Sequence, residues 1–224
     1  QMLLTMSACL GSVMMPRASH LIAENKEDEF NRLIQKSYDF TLAIALPMTI
    51  GLIFCAPSLI TALCGVKFEH SILPSQIIAP IILMVAISNV FGIQVLFPKG
   101  KINIVTLCCG IGAVADLILN LCLIPFFSYI GTSIAYLGAE VATTVSMYLI
   151  GRKYIPIIYF KKSHLTYALG CVVMALALYG ISLLQLPTLT TLLVQGFCGV
   201  LTYFIILCIC KDEMLVQLLS KFKR

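Results

Sequence analysis

The chain has 224 residues, 60% hydrophobic and only 11% charged, with a mean hydropathy of +1.00. A soluble domain of this size has no interior that could hide so much apolar surface, so a water-soluble enzyme is excluded and an all-α, polytopic transmembrane helix bundle is expected. Strand alternation is absent and the apolar runs are too continuous for a barrel. The net charge of +5 is placed by topology and gives no nucleic-acid signal.

Seven apolar runs follow one another: Met2–Met15, Tyr38–Leu63, Ile72–Phe97, Ile102–Ile124, Ile130–Ile150, Leu165–Leu184 and Leu189–Cys210. All but the first have the length of about 20 residues that a bilayer-crossing helix needs. The first is short and starts abruptly at Gln1, with no initiator Met and no signal peptide. It is read as the tail of a helix whose start is missing, and the chain as a C-terminal fragment.

The bases orient the runs. Alternate connections hold Arg17, Lys26, Arg32 and Lys36, then Lys99 and Lys101, then Arg152, Lys153, Lys161 and Lys162, and finally the tail with Lys211, Lys221, Lys223 and Arg224. The intervening connections hold only Lys67. By the positive-inside rule the basic connections and the C-terminus are cytoplasmic. Aromatic residues mark both interfaces, Tyr154, Tyr159 and Phe160 inside and Phe126, Phe127 and Tyr129 outside.

In the first inner connection, Glu24, Glu27, Asp28 and Glu29 precede Arg32 and Lys36, the order a helix dipole favours. Phe30, Leu33 and Ile34 share one face, so a short amphipathic helix on the inner membrane surface is expected. The tail from Glu213 to Lys223 reads the same way. Asp39 is read as a dipole-matched helix start.

The fourth and fifth runs form a hairpin around Pro125–Tyr129, and each carries one acid. At about 1.5 Å per residue, Asp116 lies about 12 Å from the break and Glu140 about 15 Å from it. Both carboxylates are therefore expected near mid-membrane, where each costs about 2.5–3.5 kcal/mol unless it faces protein or water. Gly112, Ala113, Asp116 and Asn120 share one helical stripe, and Glu140 shares a face with Ser133 and Thr144. Two readings stand: residues of a polar lumen that meet a hydrated substrate or a coupling cation, H⁺ or Na⁺, or carboxyls bonded within the bundle. Asn89 and Gln94 carry the same pair of readings, substrate contact or helix–helix bonding. Arg17, Lys99 and Lys101, at inner helix ends, either set topology or gather the phosphates of an anionic lipid head group.

The ten cysteines show no Cys-x-x-Cys spacing and read as small apolar filler, without metal or redox work. No phosphate-binding loop, no Gly-x-Ser-x-Gly and no clustered His is present, so no enzyme chemistry and no cofactor is expected.

Several ordered segments carry a resemblance. They are Met14-Met15-Pro16-Arg17, Ala45-Leu46-Pro47-Met48 with Gly51, Asn89 to Gln94 leading to Pro98-Lys99-Gly100-Lys101, and Asn120 to Pro125 followed by Gly131 to Ala135 and Glu140. Together, over about residues 10–155, they resemble the bacterial polysaccharide transporters, the O-antigen (Wzx-type) flippases of the MOP superfamily. The resemblance implies that residues 1–155 are the second lobe of such a transporter and residues 156–224 two extra transmembrane helices with a cytoplasmic tail. It implies a multi-pass protein of the bacterial cytoplasmic membrane that moves undecaprenyl-pyrophosphate-linked oligosaccharide to the outer leaflet by alternating access. Its partners would be that lipid-linked oligosaccharide, membrane lipids, and a polysaccharide polymerase and glycosyltransferases. A MATE-like ion-coupled drug or cation antiporter, with Asp116 or Glu140 as its ion switch, is the alternative.

Overall fold

The computed structural model describes residues 14–158, 161–184 and 187–210, and every regular element among them is helical. The expected first run, up to residue 13, and the expected tail helix lie outside the described residues.

Helix α1 is described over residues 14–23. It continues through Pro16 and Arg17, where the sequence suggested an ending. It closes instead at Asn25, whose φ of 56° is left-handed, and Lys26 N–H donates to the Leu21 carbonyl at 3.0 Å across that turn. Lys26 also pairs with Glu24 at 2.9 Å, which holds the Glu24 carboxyl below its ordinary range.

Helix α2 spans Glu27–Cys64, 38 residues in one piece, with Glu27, Asp28 and Glu29 in its first turn. At about 1.5 Å per residue it is far longer than a hydrocarbon core of about 30 Å. The separate membrane-surface helix expected around Phe30 is therefore not formed. Its residues are the first turns of α2, and Phe30 and Ile34 are fully buried in protein. The i, i+3, i+4 pattern marked an apolar face correctly, but protein covers Phe30 and Ile34.

A 3₁₀ turn, Val66–Ser71, leads into α3 (Ile72–Ile78) and α4 (Ile81–Asn89), and a π-helical stretch, Val90–Leu96, completes the third expected run. Pro80 separates α3 from α4. In the π stretch Gln94 is 1% exposed and its Oε1 accepts from the Ser37 hydroxyl at 2.5 Å, Ser37 being equally buried. Phe91 lies beside them between Tyr38 and Tyr148, with ring centroids 6.3 and 6.4 Å away. Ser37→Ala leaves the Gln94 amide buried without this partner, an expected loss of about 1–3 kcal/mol. Adding Gln94→Leu should recover most of it, as thermal unfolding of the full-length protein would show.

Helix α5, Ile102–Gly151, is a hairpin rather than one rod. Its only non-helical residue is Ser128, with φ 50° and ψ −126°, so the reversal is sharper than the expected five-residue break. Gly112 faces Thr143, Gly138 faces Leu119, and Gly131 faces the backbone of Leu123, so the two limbs run antiparallel in close contact. Helices α6 (Lys162–Ser182) and α7 (Thr188–Ile209) pack together, with Gly170 against Tyr203 and Gly199 against Met174.

Five stretches among the described residues are long and apolar enough to cross a membrane: Glu27–Cys64, Val66–Leu96, Ile102–Gly151, Ser163–Ser182 and Thr188–Ile209. Of these, Ile102–Gly151 doubles back at Ser128. The described residues form two compact units. One runs to Ala45 and resumes from Pro80 through α5 to the loop after it; the other comprises Leu46–Ala79 with α6 and α7.

Candidate functional site: a polar cavity on the α5 hairpin

Because the limbs of α5 pack with Gly112 against Thr143, Asp116 and Glu140, each about one turn nearer the reversal, come to the same level. Both line one cavity of about 520 Å³. The first limb contributes Val105, Cys109, Gly112, Ala113 and Asp116; the second contributes Tyr136, Ala139, Glu140, Thr143 and Met147; and Val85, Ser88, Asn89, Gly92 and Ile93 close a third side. All belong to one compact unit.

The stripe of small residues explains the space. Gly112 and Ala113 leave room beside Asp116, and Gly92 leaves room opposite, near Met147. On the other side of the first limb, Leu107, Val114, Leu117, Ile118 and Leu121 are exposed, an apolar surface of the kind that faces lipid or another helix. The carboxylates, the only two acids of the hairpin, thus sit on its cavity side, where a charge at membrane depth is tolerated.

Asn120 holds Asp116 from one turn further on. Its Nδ2 donates to the Asp116 carboxylate Oδ1 at 3.0 Å and to the Asp116 carbonyl at 2.9 Å. Its own Oδ1 is buried with no partner. Thr143 Oγ1 donates to the Ala139 carbonyl at 2.9 Å, and Thr144 Oγ1 reaches the Met84 carbonyl at 3.2 Å, joining the second limb to α4. Ser133, on the expected Glu140 face, bonds back to the Tyr129 carbonyl at 3.2 Å.

Of the residues singled out from sequence, Asp116, Glu140 and Asn89 come together on this cavity, with Asn120 behind Asp116. Gln94 is not among the residues lining it; it is turned toward Ser37. The basic residues stand elsewhere. Lys99 Nζ donates to the Tyr154 carbonyl at 3.0 Å and lies 5.1 Å from the centre of the Phe30 ring. Burial pulls the Lys99 ammonium below its ordinary range, and the charge of Glu27 opposes that. Lys101 Nζ sits 5.1 Å over the Tyr154 ring, and Arg17 is exposed on α1. Gln35 secures the same inner region, accepting from Ile158 N–H at 2.8 Å.

Tyr136, Ser88 and Cys109 were missed in the sequence. Tyr136 lies one turn before Glu140 and Cys109 two turns before Asp116, so the helical stripes through the two acids carried that signal, whereas Ser88 is on no stripe with Asn89.

A family model described as Lipid II flippase MurJ matches residues 3–204. Among solved structures, a lipid II flippase MurJ in an inward closed conformation matches with a TM-score of 0.76 at 16% identity, covering 93% of this chain and 45% of that one. At that identity the likeness is one of fold, and the chain spans about half the length of the flippase it matches. No curated protein sequence matches the chain.

Proposed function

Since the chain belongs to the MurJ family of lipid II flippases, we propose that the full-length protein carries a lipid-linked precursor, lipid II, across the bacterial cytoplasmic membrane. The family is one of transporters rather than catalysts, within the MOP superfamily. The chain supplies a multi-pass helical part of such a transporter. In our reading it crosses the membrane seven times, counting the first apolar run and both limbs of α5, with the C-terminus inside.

The observation that carries the proposal is the pairing of Asp116 and Glu140 on one cavity at matching depth, in a hairpin that holds no other acid. A polar head group cannot cross hydrocarbon unaided, whereas its lipid tail can remain there. A protein that alternates between two states of similar energy removes the barrier, provided something binds one state better than the other. The two acids are suited to that biasing role through a cation, H⁺ or Na⁺, which would offset two like charges on one cavity. Asn89 would add a neutral oxygen to it, and Asn120 would hold the Asp116 carboxylate in place. Arg17, Lys99 and Lys101 remain candidates for anionic head groups at the inner face; Lys99 gives one of its three N–H donors to the Tyr154 carbonyl and keeps its charge.

An oligosaccharide of surface polysaccharide on an undecaprenyl-pyrophosphate carrier would suit the same mechanism, and a polymerase and glycosyltransferases would then be partners. The family match favours lipid II. A cation antiporter of the MATE type would use the same acids, and transport assays separate them. Vesicles holding the full-length protein should flip lipid II in preference to a lipid-linked surface oligosaccharide or a cationic drug. Drug transport without lipid flipping would overturn the proposal.

A further inference from the structure

Helix α2 has a gap in its backbone ladder that another helix fills. Pro57 has no N–H, so it cannot donate to the carbonyl of Ile53 four residues earlier. That carbonyl accepts instead from the side-chain amide of Gln76 on α3, Nε2 to oxygen at 2.9 Å. One turn on, Thr61 Oγ1 donates to the Pro57 carbonyl at 2.8 Å. All four residues lie in one compact unit. Gln76 therefore does for α2 what its own backbone cannot.

The placement of Gln76 makes the bond more than a local repair. Helix α3 is seven residues long, set between the 3₁₀ turn and the Ala79–Pro80 break. The bond ties this short segment to the part of α2 nearest Cys64, where Pro57 leaves the ladder of an unbroken helix one donor short. In hydrocarbon an unpaired carbonyl costs several kcal/mol, so the Ile53 oxygen can leave Gln76 only if another donor arrives. Water is the donor at hand when that end of the bundle opens.

We propose that Gln76 is a latch on the proline site of α2: it caps the Ile53 carbonyl in the closed arrangement and hands it to water when the α2–α3 end opens. The bond is then a conformational switch whose two states are dry and wet. The inference rests on α2 and α3 and holds whatever the cargo is.

A double-substitution cycle in the full-length protein tests it. Pro57→Ala restores the missing N–H, so Gln76 should then be dispensable. Gln76→Leu alone is expected to lower the unfolding temperature of the full-length protein by about 1–2 °C, and not measurably in the Pro57→Ala background. The native Cys55, two residues beyond Ile53 and partly exposed, reports opening. With the other cysteines replaced, its modification by a membrane-impermeant thiol reagent should rise about fivefold in Gln76→Leu, the shift that one net hydrogen bond represents, and return in the double variant. If Gln76→Leu alone does not fold, the double variant should. Equal losses in both backgrounds, an unchanged Cys55 rate, or a double variant that also fails to fold would each overturn the latch.

Discussion

Asp116→Ala and Glu140→Ala, each made in the full-length protein, are expected to abolish lipid flipping while leaving the amount of protein in the membrane unchanged. The expected loss is at least about tenfold, or about 1.4 kcal/mol of differential stabilisation between transport states. The reason lies in the placement of the two groups. Both acids line the same cavity, whereas Leu117, adjacent to Asp116, is exposed on the apolar side of the limb. Leu117→Ala is the control and should transport normally. Asp116→Asn separates charge from volume: it keeps the shape and the Asn120 contact but cannot balance a cation. If the charge carries the role, Asp116→Asn should fail as Asp116→Ala does. Normal flipping in both alanine variants would remove the acids from the mechanism.

The second large effect is expected from the glycines that let the limbs of α5 approach. A Cβ built on Gly112 would stand 1.9 Å from Thr143 Oγ1, and one on Gly131 would stand 2.6 Å from the Leu123 carbonyl oxygen. Overpacking of this kind typically costs about 1–3 kcal/mol, and more where nothing can yield. The two sites should behave differently. At Gly112 the obstacle is a side-chain hydroxyl, so Gly112→Ala should lower the unfolding temperature and Thr143→Ala should restore most of it. At Gly131 the obstacle is backbone, so Gly131→Ala should have no side-chain rescue. A Gly112→Ala protein as stable as the parent would mean that the limbs do not pack as described. Because the same contact sets the level of Asp116 against Glu140, Gly112→Ala should also impair transport.

The sequence made the hairpin legible through length and charge: two spans joined by a short break, each with one acid at a similar distance from it. The 1.5 Å rise was enough to put Asp116 and Glu140 at one level. The reversal at Ser128 alone was not visible, because Pro125 suggested a wider break than the chain uses. The face of Phe30, Leu33 and Ile34 was visible, but periodicity reports an apolar stripe and not what covers it. The third span concealed most. Pro80 marked a break, but the even hydropathy hid the π turn, and so hid why Asn89 borders the cavity while Gln94, five residues on, bonds to Ser37. The bond from Lys99 to the Tyr154 carbonyl was not legible, because a backbone partner leaves no mark in the sequence. The ordered motifs pointed to the MOP superfamily. They did not separate its O-antigen branch from the MurJ family.

In the proposed transporter Asp116 and Glu140 face water inside the membrane. Single cysteines placed on either side of Asp116 in an otherwise cysteine-free full-length protein test it most directly, through their reaction with a small charged thiol reagent. Ala113→Cys, on the cavity wall, should be modified readily and be protected by added lipid II, whereas Leu117→Cys should be inert. A reactive Leu117→Cys beside an inert Ala113→Cys would put the acids on the wrong side of the helix and contradict the account.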